Sequence, residues 1–209
     1  MRVYFSTYHL WAARRFAELT AKAEAGPGRV PRFDIEHRAF ATNAILSAIA
    51  FLEAAINELF QDASDAHPSY VQSLRKEAVG ALADAWDDGA DWLNILTKYQ
   101  LACRLAGVQA FDRGLEPFQS AKLLVQLRNA LVHYKPSSRS VGDLTSLEQG
   151  LASKFAPNRL MDGSPGNPYF PDKCLGAGCT EWAVRTVEQF ATEFFARIGV
   201  QPNYQRVTF

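Results

Sequence analysis

The stretch from Asp34 to about Asp62 limits the architecture more than any other part of this chain. Asp34 is a good helix cap, and Phe40, Ile45, Ile49, Phe51, Leu52, Ile56, Leu59 and Phe60 fall on most sides of the helix that follows. Asn43, Ser47, Ala50, Ala54 and Glu58 form only a narrow stripe of small and polar residues. A helix that is apolar around most of its circumference must be central to a helical core or part of a subunit interface. Glu53, Asn57 and Glu58 interrupt its greasiest part, residues 44–60, which is too short and too polar to span a bilayer.

The other segments read as further helices. One runs from about Tyr4 to Ala25 and stops at Gly26-Pro27-Gly28, and two or three shorter pieces occupy His67 to Gly107. Another starts at Leu115-Glu116-Pro117, with Pro117 in its first turn, and ends at His133 or Tyr134 ahead of Pro136. Residues 136–178 then hold five prolines and six glycines, with one short helix from about Ser146 to Phe155. The apolar content of Pro168-Tyr169-Phe170-Pro171 predicts that this loop-rich region packs onto the body. Thr180 to Ile198 closes the chain as an amphipathic helix burying Trp182, Val187, Phe190, Phe194, Phe195 and Ile198. Few segments alternate as strands do. The expectation is an all-α chain forming one domain over residues 1–209, most simply a helical bundle.

At 48% hydrophobic residues, the 209-residue chain has enough apolar surface to offset its ordering entropy, which excludes wholesale disorder. Its 22 basic and 22 acidic residues exclude a generally basic nucleic-acid coat. Their distribution is uneven: residues 53–91 carry nine acids against two bases, and residues 98–159 carry nine bases against four acids. The second segment suits a basic groove for phosphate. No signal-peptide pattern opens the chain, and Cys103, Cys174 and Cys179 form no CxxC pair and have no histidine nearby to complete a zinc site. Three reduced thiols in a cytoplasmic protein are expected, with no metal, no cofactor and no membrane partner. A cysteine hydrolase using Cys174 or Cys179, with Gly176 and Gly178 opening backbone donors to substrate, is a weaker alternative because it lacks a nearby base.

The helix from Pro117 to Tyr134 carries the strongest chemical signal. At about 100° per residue, Lys122, Gln126, Asn129 and His133 fall within about 60° of one another, while Leu123, Leu124, Leu127, Ala130 and Leu131 cover the opposite side. Arg128 stands inside the apolar sector, where a guanidinium must pair or reach a solvent-filled groove, and Glu53 is the expected structural partner. An arginine and a titratable histidine flanking one groove are what metal-free RNA cleavage needs. Of the other histidines, His9 and His37 are expected on helix surfaces and His67, before Pro68, in a turn.

Arg128-Asn129-Ala130-Leu131-Val132-His133 resembles the R-[polar]-x3-H signature of the HEPN superfamily. The long helix around Phe51–Leu59 resembles that family's earlier core helix more loosely, so the resemblance spans roughly residues 34–135. It implies a HEPN-like helical bundle, to which the N-terminal helix and the Pro/Gly-rich region with the final helix are additions. It further implies a homodimer in which Arg128, Asn129 and His133 build a composite catalytic site for metal-independent RNA cleavage. Lys122, Lys135 and Arg139 are the expected RNA-binding residues. Family members serve in toxin–antitoxin, phage-defence and RNA-processing systems, which makes an antitoxin or other protein partner part of the expectation. The same residues also suit a non-catalytic dimeric module that holds RNA, nucleotide or a protein partner.

Overall fold

The computed structural model describes residues 2–26, 33–136, 143–161 and 166–205, and among them there are helices and no strand. The protein is all-α. Its helices are α1 (Phe5–Glu24), α2 (Ile35–Ser64), α3 (Pro68–Val71), α4 (Lys76–Asp87), α5 (Ile95–Leu105), α6 (Phe118–Val132), α7 (Ser146–Ala152) and α8 (Ala177–Ile198). Short 3-10 turns follow at Ala90–Trp92 and Asn203–Gln205, and a wide turn at Tyr169–Lys173 has Phe170 in extended conformation. The chain divides into two compact units. The first draws on Met1–Leu10, Ala50–Ala121 and Val187–Phe209, the second on Trp11–Ile49 and Lys122–Thr186.

Local capping sets most helix starts. The Asp34 carboxylate accepts the His37 N–H at 3.1 Å, which opens α2 where the sequence predicts. Asn94 caps α5 by accepting the Thr97 N–H, and Thr145 and Glu148 form a reciprocal capping box on α7. At the start of α6, Glu116 accepts both the backbone N–H and the hydroxyl of Ser120.

In the first unit, the second half of α2 is buried on nearly every side: Phe51, Leu52, Ile56, Leu59 and Phe60 are fully enclosed. Aromatic rings of α8 surround Tyr99 edge-on, Phe190 at 5.0 Å and Phe194 at 4.6 Å, and the Tyr99 hydroxyl donates to the Leu52 carbonyl at 2.9 Å. By length and composition α2 would pass for a membrane-crossing helix, but half of its apolar stretch is buried inside the protein, as a core helix requires.

The first unit also encloses two carboxylates. Glu58 accepts the Ser6 N–H at 2.8 Å, the Ser6 hydroxyl at 2.6 Å and the Tyr70 hydroxyl at 3.2 Å. Asp62 accepts from the Tyr4 hydroxyl and the Tyr70 N–H and pairs with the Arg2 Nε at 2.7 Å. Burial pushes both above the ordinary carboxylate range, and their hydrogen bonds offset this only in part. The folded form therefore holds these protons more tightly than the unfolded chain does. Their contribution to stability is fully present below the ordinary range and is lost as pH rises through the raised values. Glu58→Gln removes one of the two ionisations, so its unfolding midpoint in urea should fall less steeply than wild type as pH rises toward neutrality. Parallel profiles would show that burial of Glu58 has no such effect.

The second unit is organised around one buried carboxylate, Glu24, at the end of α1. Its Oε1 lies 2.8 Å from the Nε2 of His37 and accepts the Ala177 N–H at 2.6 Å, while Oε2 accepts the Arg159 N–H at 3.3 Å. His37 is 2% exposed, so the expected surface position is corrected: its ring faces inward because Glu24 holds it there. The bond to Ala177 starts α8 three residues before Thr180, the start expected from the sequence. Gly176 permits this approach, since a Cβ there would lie 2.7 Å from both Asn158 Cα and Glu24 Oε1. Arg38 pairs with Asp172 at 2.7 Å, and the Asn158 amide donates to the carbonyls of Asp172 and Leu175. These bonds fix the described part of the Pro/Gly-rich region onto α1 and α2 of the same unit.

Candidate nucleic-acid interface

Within the second unit, α6 forms because leucines at its buried positions alternate with polar residues at helical spacing. Leu124 and Leu127 are fully buried, and Lys122, Gln126, Asn129 and His133 are exposed along one stripe, as the wheel predicts. His133 follows the last residue of α6, with its N–H donated to the Asn129 carbonyl at 2.9 Å. This backbone bond continues the helical pattern by one step and leaves the imidazole in solvent.

Arg128 lies off that stripe, in the otherwise apolar sector of the helix. It is half-buried, and its Nε is enclosed with no hydrogen-bond partner among the described residues. An enclosed donor without an acceptor costs about 1–3 kcal/mol. Glu53, the expected partner, belongs to the first unit, where its negative charge supports protonation of Lys98. Lys135 is exposed just beyond α6, and Arg139 lies outside the described residues.

Two further features mark this end of α6. Val132 and Tyr134 are both more than half exposed, so apolar and aromatic surface borders the polar stripe. The ring of Tyr134 lies 6.2 Å from that of Phe170, tilted by 49°. Only the aromatic character of residues 168–171 hinted at such a contact.

Charge separates this surface from the groove of the first unit. That groove, of about 420 Å³, is lined by Arg2, Tyr4, Glu58, Asp62, Asp65 and Trp86 among others, so three carboxylates stand against one guanidinium and the balance disfavours phosphate.

The cysteines are not placed for nucleophilic work. Cys103, Cys174 and Cys179 are all buried; burial pushes the Cys103 thiol up to about 11 and the Cys179 thiol well above its ordinary value. Gly178 faces the Ala156 carbonyl, 2.7 Å from where a Cβ would stand, so close packing explains this glycine without a substrate. Native protein should take up almost no iodoacetamide at pH 8, and all three thiols should react in urea. Rapid labelling of Cys179 in the native protein would show that the site opens.

The chain matches no family model, no curated protein sequence and no solved structure.

Proposed function

We propose that this protein is a metal-independent endoribonuclease of HEPN type, with Arg128 and His133 meeting across a homodimer. One observation carries the reading: Lys122, Gln126, Asn129 and His133 face solvent in one stripe along α6 and its end, and the Nε of Arg128 is enclosed without a partner among the described residues. RNA supplies its own nucleophile, so the protein needs only to move protons and stabilise charge. The His133 imidazole takes the 2′-hydroxyl proton, the 2′-oxygen attacks phosphorus, the bond to the 5′-oxygen breaks, and the imidazolium so formed gives its proton to that leaving oxygen. Arg128 donates to the phosphoryl oxygens as negative charge builds on them. Asn129 orients the phosphate, and Lys122, Lys135 and Arg139 hold the flanking backbone. The products are a 2′,3′-cyclic phosphate and a 5′-hydroxyl. A toxin or phage-defence role, restrained by an antitoxin or other protein partner, is part of the same proposal.

The test is incubation of mixed tRNA and unstructured RNA with the protein in EDTA, wild type beside His133→Ala. Cyclic-phosphate ends made by wild type and lost in the variant support the reading. Intact RNA that is nevertheless bound, with affinity falling steeply with salt, would favour a non-catalytic RNA-binding module. Absence of both cleavage and binding would sink both RNA readings.

A further inference from the structure

We infer that Tyr134 is a stacking platform for an unpaired nucleobase, which makes single-stranded RNA the substrate class of this surface. The inference rests on the reading of the exposed face of α6 as an RNA site. Tyr134 follows His133 directly, and consecutive Cα atoms are about 3.8 Å apart. A base resting on this ring therefore belongs to a nucleotide beside the scissile phosphate. The residue is 53% exposed, which leaves side-chain surface to receive a base, while the Phe170 ring lies 6.2 Å away and supports it. At that separation and a 49° tilt, no base fits between the two rings, and stacking is confined to the exposed side of Tyr134.

The support is rigidly held. The Phe170 N–H donates to Glu148, whose other oxygen closes the capping box of α7, and two residues on Asp172 is clamped by Arg38 and Asn158. A platform fixed before the ligand arrives loses little side-chain entropy on binding. Every base has a π-face, so this contact tolerates sequence but requires that the base be out of a duplex. His133 and Lys135, the exposed chain neighbours of Tyr134, supply the cationic and polar contacts that a backbone needs beside a stacked base.

Binding is measured by fluorescence anisotropy, with a labelled 2′-O-methyl RNA that cannot be cleaved at its 2′-position. The same strand is measured alone and in a blunt duplex. Tyr134→Ala is expected to weaken single-strand binding about tenfold, Tyr134→Phe to bind as wild type does, and the duplex to bind more weakly than the strand. One abasic position in the strand should cancel the difference between wild type and Tyr134→Ala. Equal binding by Tyr134→Ala, equal binding of strand and duplex, or no binding by wild type would each overturn the inference. Cleavage failing while these binding results hold would overturn the ribonuclease reading alone.

Discussion

His133→Ala is expected to lower RNA cleavage by about 10²–10⁴-fold, the usual contribution of a positioned general acid or base, without moving the unfolding midpoint. The imidazole is exposed, and the bond that places the residue is made by its backbone N–H, which alanine retains. Loss of cleavage and loss of stability are therefore separable outcomes at this position. Arg128→Lys should also lose most cleavage, because an ammonium cannot reproduce the fork with which a guanidinium grips a phosphate. Single-turnover rates and urea midpoints on the same preparations decide the matter. A fall in both for His133→Ala would mean that the residue holds the end of α6 and does no chemistry.

Glu24→Ala is expected to destabilise the protein by about 3–5 kcal/mol, since several buried donors are left without their acceptor at about 1–3 kcal/mol each. Three groups lose their acceptor together: the His37 ring and the backbone N–H groups of Arg159 and Ala177. His37→Ala removes only the ring and keeps the carboxylate on its two backbone donors, so its loss should be smaller. Glu18→Ala, which touches an exposed ion pair with Arg15, should change stability by less than about 0.5 kcal/mol. Urea unfolding measures all three. In the Glu24 variant the amides of Arg159 and Ala177 should also exchange with solvent much faster. Similar losses for Glu18→Ala and Glu24→Ala would contradict the account of the second unit.

Helices whose ends carry local signals were legible in the sequence. Gly26-Pro27-Gly28 and Asp34 place the end of α1 and the start of α2 within a residue or so, and the buried face of α8 follows from its period. The start of α8 was not legible, because its cap comes from Glu24, which lies 153 residues earlier. The burial of His37 has the same cause. At the candidate site, the polar stripe of α6 follows from helical geometry, and so does the position of Arg128 within the apolar sector. Whether Arg128 finds an acceptor depends on neighbours that periodicity does not reveal. The Tyr134–Phe170 pair escapes notice for that reason too, since it joins a helix end to a turn 36 residues on.

Glu24 also sets an order of events during synthesis. Glu24 and His37 leave the ribosome within a second or a few seconds of each other, but Ala177 is made 140 residues after His37. At about 5–20 residues per second, that interval is about 7–28 s. Until Arg159 is made, 122 residues after His37, the carboxylate has only the imidazole and water for company, and without Ala177 the second unit cannot close around it. A nascent chain stalled before Ala177 should thus be a substrate for chaperones and proteases, however complete its helices are.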